Sequence, residues 1–254
     1  MSPFKVVIPA RMASTRLPGK PLLLIDGIPM VVHVLRQAQE SGAEEVVVAT
    51  DDQAVVDAVT QYGGQAIMTS ADHASGTDRI AEVAARMDWG SDTVVVNVQG
   101  DEPFTEVAHI QQLATLLDDP AVLMGTLAAP IVERAQLESP NVVKVVINGQ
   151  NEALYFSRSV IPYDRNDQRD ERLVFHGLAP WRHVGMYAYR VQFLQSFVTW
   201  EPSALEQLEC LEQLRALHHG ICIRVGIIDE PAAPGIDTPE DLVWANNRNR
   251  EKNS

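Results

Sequence analysis

Phe4-Lys5-Val6-Val7-Ile8-Pro9, followed some twenty residues on by Pro29-Met30-Val31-Val32-His33-Val34-Leu35-Arg36-Gln37-Ala38, is the stretch that decides the fold class. The first run is short, nearly continuously apolar and rich in β-branched residues, as a strand buried on both faces requires, and Pro9 is expected to stop it because it has no N–H for a ladder. In the second run Met30, Val31, Val34, Leu35 and Ala38 fall on one side at helical period, with Pro29 at the first helical position and Gly42 as terminator. One strand and one amphipathic helix form a unit, and the unit recurs. Glu45 to Ala49 is a second β-branched run, Asp51 or Asp52 can cap a helix through Val59, and Gly63-Gly64 ends it. Ala66 to Thr69 is a weaker third strand, Ile80, Val83, Ala84 and Met87 mark the next helix, and Thr93 to Val98 is the most strand-like run of the chain. Buried strands alternating with amphipathic helices predict an α/β fold, a doubly wound and mostly parallel sheet covered on both faces.

Past Pro130 the pattern changes. Shorter strands, Val142 to Ile147 and Val184 to Tyr189, flank a polar stretch from Asp164 to Arg172, and a helix is expected from Ala204 to His218, ended by Gly220. A strand at Ile221 to Ile228 and a last helix after Thr238 return the chain to the first pattern, with the tail from Asn246 to Ser254 expected to fray. The division that follows is a main α/β domain over 1–130 and 221–254, with a smaller inserted α+β lobe over 131–220.

The totals exclude several classes of partner. With 254 residues and 46% apolar composition an ordinary core can form, and a net charge of −14 opposes binding to nucleic acid or to an anionic membrane surface. Cys210 and Cys222 lack the spacing of a zinc or redox pair and are expected to be buried, reduced thiols. No run reaches membrane-spanning length, and Arg11 follows the first apolar run too soon for a signal-peptide core, so the cytoplasm is the expected compartment.

In open α/β sheets ligands bind beyond the carboxyl ends of the strands, which makes the loop after the first strand informative. That loop, Arg11-Met12-Ala13-Ser14-Thr15-Arg16-Leu17-Pro18-Gly19-Lys20, places Arg11, Arg16 and Lys20 in a strongly acidic protein, with Pro18-Gly19 turning the chain just before the lysine. Guanidinium forks, an ammonium and close-approaching glycine amides suit a polyphosphate, although the loop is neither a Walker A sequence nor a GxGxxG fingerprint. Asp101 follows the fourth strand directly, where a carboxylate can reach a bound triphosphate and help to hold a hard cation such as magnesium. Asp237 precedes Thr238-Pro239-Glu240-Asp241, in which Thr238 can be an N-cap, Pro239 the first helical residue and Asp241 the third, leaving Asp237 free to point elsewhere. Ser75 or Thr77 can cap the helix after the third strand. In Arg182 to Arg190 the alternation puts His183, Gly185, Tyr187 and Tyr189 on one face and Val184, Met186 and Ala188 on the other. On the helix Ala204 to His218, Glu206, Glu209 and Gln213 share one side, and with Glu212 also present more than one register is open for an acid that meets substrate.

The run Ile8-Pro9-Ala10-Arg11 through Ser14-Thr15-Arg16-Leu17-Pro18-Gly19-Lys20-Pro21-Leu22 resembles the signature loop of sugar nucleotidyltransferases, in the form found in cytidylyltransferases that activate 3-deoxy-manno-octulosonate (Kdo). The resemblance extends in order and spacing from Val6 to Asp241; Met12 and the pair His218-His219 depart from it without touching a catalytic role. It implies a Rossmann-like nucleotidyltransferase fold in which Arg11 and Lys20, assisted by Arg16, hold the triphosphate of CTP beside Pro9 and Ala10. It implies that Asp101 and Asp237 bind magnesium and that Ser75, Gly76 and Thr77 lie against the cytosine. Gln99, Arg158, His183, Tyr187, Glu209, Glu212 and Gln213 are then expected to face the sugar, Arg158 being the natural partner of its carboxylate. The reaction implied is attack of the anomeric hydroxyl of Kdo on the α-phosphate of CTP, giving CMP-Kdo and pyrophosphate for lipopolysaccharide synthesis. A homodimer joined through the lobe is implied as well.

Overall fold

The computed structural model describes residues 2–13, 16–73, 75–166, 168–169, 173–174, 179–229 and 235–252. Strand β1 (Phe4–Ala10) leads through a tight hairpin, β2 (Leu24–Ile25) and β3 (Ile28–Pro29), into helix α1 (Met30–Glu40). There follow β4 (Glu45–Thr50), α2 (Gln53–Gln61), β5 (Gln65–Met68), α3 (Gly76–Arg86) and β6 (Val94–Asn97). Helix α4 (Val107–Leu116) and β7 (Met124–Pro130) come next, then α5 (Arg134–Glu138) and a ribbon of β8 (Lys144–Ile147) and β9 (Ala153–Ser157). The chain closes with β10 (Trp181–Arg190), α6 (Val191–Phe197), α7 (Ala204–Glu209), α8 (Gln213–His218), β11 (Ile223–Ile227) and α9 (Pro239–Lys252).

The main sheet runs in the order β11-β7-β10-β6-β1-β4-β5. Every neighbouring pair along it is parallel except those of β10, which is antiparallel to both β6 and β7. The mostly parallel, doubly wound sheet expected from the sequence is therefore present, and its two faces are separate cores. Val6 and Ile8 pack with α1, α2 and α4 residues such as Leu35, Val59 and Leu113, while Val7 and Val47 pack on the other side with Ile80 of α3, Phe193 of α6 and Leu214 of α8. Strand β10 enters the middle of this sheet and continues past it to carry the β8–β9 ribbon. Its alternation is as expected across a register shift between Val184 and Tyr187, with Val184, Met186 and Ala188 in the first core and Tyr189 in the second.

Five expectations are corrected. β1 continues through Pro9 to Ala10, because the β6 ladder ends at Val7↔Asn97, so the side on which Pro9 lacks a donor has no strand left to pair. Pro29 is the extended cap before α1, not its first residue. The helix expected from Ala204 to His218 is broken at Cys210, which adopts a left-handed conformation with φ of 52° and splits it into α7 and α8. Cys210 and Cys222 are exposed, not buried. The segment expected to fray from Asn246 is helical as far as Lys252. The helix caps behave as read: Asp52 accepts the Ala54 N–H at 2.8 Å, and Ser75 and Asp78 form a reciprocal capping box on α3. Among the described residues no helix is long and apolar enough to cross a membrane.

Candidate active site

The carboxyl ends of β1 and β6 open into a cleft of about 470 Å³. Its floor begins with Pro9 and Ala10, and Gly100 sits so tightly on them that a Cβ there would meet the Pro9 carbonyl oxygen at 2.7 Å. Only glycine lets the turn after β6 approach β1 in this way, and that approach delivers Asp101 to the cleft. Arg11, Arg16 and Lys20 enter from the loop after β1, whose Ser14 and Thr15 lie outside the described residues. Gly19, with φ of 68°, makes the turn expected of Pro18-Gly19 and starts a single 3-10 turn, Lys20–Leu22.

Lys20 is the centre of the charged end. Its ammonium, on a side chain only 10% exposed, lies 2.5 Å from Asp101 Oδ2 and 2.7 Å from Asp237 Oδ1. Arg16 reaches Asp237 Oδ1 at 3.1 Å from a more exposed position. Asp237 is held in place by its backbone. The Ile236 N–H donates to the Asp101 carbonyl at 2.9 Å, and the Asp241 carboxylate accepts the N–H groups of Asp237 and Thr238 at 2.9 and 2.8 Å. The cap read from Thr238-Pro239-Glu240-Asp241 thus leaves the Asp237 side chain free to face Asp101. Two carboxylates converging on one point, with no third acidic, histidine or cysteine ligand among the described residues, suit a cation that takes its other ligands from phosphates and water. Glu102, beside them, is pushed up to about 7 by burial first and by the Asp101 charge second.

Behind the loop lies an ion pair that fixes its entry. Asp51, just past β4, accepts from Arg79 at 2.9 Å through one oxygen and from the Met12 N–H at 3.4 Å through the other. Arg79 is fully buried and also donates to the Thr69 hydroxyl. Removing Asp51 would strand a buried guanidinium, which costs about 3–5 kcal/mol. Asp51→Ala is accordingly expected to lower the thermal midpoint by roughly 10 °C; a calorimetric shift below about 2 °C would show that the pair is not structural.

The far end of the cleft is lined by hydrogen-bonding groups. Gly76 and Thr77 at the start of α3, Asn97 and Gln99 of the β6 end, Tyr187 and Tyr189 of β10, and Glu212 between α7 and α8 line it. Thr77 donates to Glu212 Oε2 at 2.7 Å, while Glu212 Oε1 and Asn97 Oδ1 are buried with no hydrogen-bond partner among the described residues. Buried polar atoms left open in a cleft are what a polar ligand would satisfy. Burial raises the Tyr187 and Tyr189 phenols well above their ordinary range, so both stay protonated.

Of the residues singled out in the sequence, Pro9, Ala10, Arg11, Arg16, Lys20, Gly76, Thr77, Gln99, Asp101, Tyr187, Glu212 and Asp237 are brought together in this cleft. Five are placed elsewhere. Ser75 is occupied as the α3 cap. Glu209 accepts from the Ser157 hydroxyl at 2.6 Å and the Arg158 N–H at 2.9 Å, and the Arg158 side chain donates to the carbonyls of Glu209 and Pro140. His183 lies 3.0 Å from the Thr126 hydroxyl, stacks edge-on to Phe156, and is held neutral by burial, at about 3. Gln213 is buried in α8. For the acids the break at Cys210 is the reason: on one continuous helix Glu206, Glu209 and Gln213 would share a face, but the kink sends Glu206 to Arg215, Glu209 to β9 and Glu212 to the cleft. Asn97 and Tyr189 were not singled out for a role. A polar residue closing an otherwise apolar strand, at its carboxyl end, was the available signal for Asn97.

A parallel sheet with a cationic loop after its first strand, a carboxylate after β6 and a second one folded back beside it defines a nucleotidyltransferase class of site. The family model for cytidylyltransferases matches residues 5–224. A solved CMP:2-keto-3-deoxy-manno-octonic acid synthetase complexed with CTP is 43% identical, with a TM-score of 0.90 over 99% of this chain and 100% of that one. The chain belongs to the cytidylyltransferase family, and within it to the CMP-Kdo synthetases. A Bacillus anthracis structure assigned as a glucose-1-phosphate thymidylyltransferase, in complex with a sucrose, has a TM-score of 0.66 at 17% identity over 98% of this chain and 96% of that one, a likeness of fold alone.

Proposed function

We propose that the protein couples CTP to Kdo, forming CMP-Kdo and pyrophosphate. The observation that carries this reading is the cleft itself, in which Lys20, Arg16 and Arg11 face two convergent carboxylates at one end and open hydrogen-bonding groups stand at the other. A relative that shares 43% of its sequence was solved with CTP. In the reaction the anomeric oxygen bonds to the α-phosphorus, the bond from that phosphorus to the oxygen bridging to the β-phosphate breaks, and the hydroxyl proton passes to solvent. Arg11 and Lys20 hold the triphosphate with Arg16 assisting, and Gly76 and Thr77 lie against the cytosine. Gln99, Tyr187 and Glu212 turn the sugar toward the phosphate. No side chain needs to act as a nucleophile, because holding two substrates in line and neutralising phosphate charge are the main requirements of phosphorus transfer. Magnesium on Asp101 and Asp237 would supply charge for the phosphates and acidify the attacking hydroxyl.

Lipopolysaccharide synthesis in the cytoplasm is the proposed setting. A homodimer joined through the lobe belongs to the same proposal. Pyrophosphate release from CTP and magnesium is the decisive assay, with Kdo, an amino analogue of Kdo and sialic acid compared as acceptors. Turnover with Kdo at least about tenfold faster than with either competitor is expected, since a site that hydrogen-bonds one polyol leaves groups unpaired with another; preference for a competitor overturns the assignment of the sugar.

A further inference from the structure

Leu17 is the apolar anchor of the cationic loop, and it packs in neither face of the main core. It is buried instead in a third cluster with Ile25 of the hairpin, Met30 of α1, Ile236 and Ala245, against which Leu23, Phe104 and Leu242 lie half-buried. Three charged residues of the cleft are thus flanked by members of one small cluster: Lys20 by Leu17 and Leu23, Asp101 by Phe104, and Asp237 by Ile236. Helix α9 covers that cluster through Leu242 and Ala245. Its Trp244 meets Phe104 edge-on with ring centres 5.6 Å apart, and the Arg248 guanidinium sits 4.7 Å above the Phe104 ring.

One polar side chain fastens the helix to the hairpin. Asn246 accepts the Asp26 N–H at 3.0 Å through Oδ1, and through Nδ2 it donates to the Leu24 carbonyl at 3.3 Å and to the Leu242 carbonyl of its own helix at 2.9 Å. Asp26 and Gly27 are both left-handed, with φ of 50° and 76°, so the hairpin closes in a tight turn whose outward backbone groups α9 takes up. We propose that Asn246 is a positioning residue, and that through it α9 acts as a strap fixing the loop that carries Arg16 and Lys20 in register with Asp237. The inference rests on the cytidylyltransferase reading only for the identity of the nucleotide.

The test compares the full-length protein with its Asn246→Ala variant. Net hydrogen-bond worth of this kind, lost twice, weakens CTP binding in the presence of magnesium by about tenfold, measured by titration calorimetry. The KM for the acidic sugar stays within about twofold, because the groups facing it do not touch the strap, and the folded fraction is unchanged. Hydrogen exchange quickens at amides of the hairpin and the loop. A CTP affinity within about twofold of the unmodified protein, equal rises in both substrate constants, or unchanged exchange overturns the strap. Should the unmodified protein bind CTP without releasing pyrophosphate from it when Kdo is supplied, the functional reading fails while the CTP titration still judges Asn246. Should it bind no CTP, exchange at the hairpin alone decides the strap.

Discussion

Asp101→Ala is expected to lower pyrophosphate release by roughly 10³-fold or more while leaving a folded protein, the scale set by losing an interaction that strengthens as charge develops in the transition state. The asymmetry follows from what the residue does with its two halves. Its carbonyl accepts the Ile236 N–H and so ties the segment bearing Asp237 to the turn after β6, a bond that alanine keeps. Its carboxylate, 36% exposed, has Lys20 as its partner, and Lys20 retains Asp237 when Asp101 is gone. The stability cost is therefore that of a partly solvated pair with a surviving alternative, about 1 kcal/mol or less. Asp101→Asn separates charge from shape, since the amide has nearly the same volume; it is expected to be almost as inactive as alanine. Turnover in Asp101→Ala above about a tenth of the unmodified rate would remove Asp101 from the centre, and loss of the cooperative thermal transition would make the inactivity uninformative about chemistry.

How much of this was legible in the sequence depends on what each residue answers to. β1, α1, β4 and α2 declare themselves because a strand buried on both faces and a helix buried on one leave different periods in the same apolar alphabet. The charged end of the cleft was legible for a related reason. Arg16, Lys20 and Asp101 stand at strand ends, where a parallel sheet always gathers its ligand groups, and the Thr238 cap shows that Asp237 is left over. The helix past Ala204 misled because period alone cannot see one residue turning left-handed, and Cys210 carries no glycine-like warning. From that single dihedral the acids expected to face the sugar took new partners. Helix α4 and strand β7 went unread for a different cause: α4 has Gln111 and Gln112 packed inward against the Ser41 and Ile227 carbonyls, which blurs its polar face. The antiparallel entry of β10 into the parallel sheet is a fact of topology and leaves no trace in its alternation.

Lys20→Met is expected to have two effects of opposite sign, and their opposition is what makes it decisive. The ammonium sits between two carboxylates at 2.5 and 2.7 Å on a side chain almost shielded from water, at the point where Asp101 and Asp237 would hold a cation. On the proposed reading the same group also holds the triphosphate of CTP. Replacing it by an apolar chain of similar length removes a buried phosphate donor, which lowers kcat/KM for CTP by about 10²- to 10³-fold. It also leaves the two carboxylates facing each other with the exposed Arg16 guanidinium, 3.1 Å from Asp237, to offset them among the described residues. Their mutual repulsion then favours any small divalent ion that enters between them. Manganese, used as a spectroscopic stand-in for magnesium, should bind nucleotide-free Lys20→Met several-fold more tightly than the unmodified protein, whereas Asp101→Ala should bind it more weakly. If both variants lose manganese affinity together, Lys20 supports the cation site and does not compete for it. If CTP binding survives in Lys20→Met, the loop's phosphate contacts belong to Arg11 and Arg16 alone. The expected crossing of the two affinities, nucleotide down and metal up, has a direct physical meaning: one lysine serves as the internal counter-ion until the substrate's own phosphates draw it away.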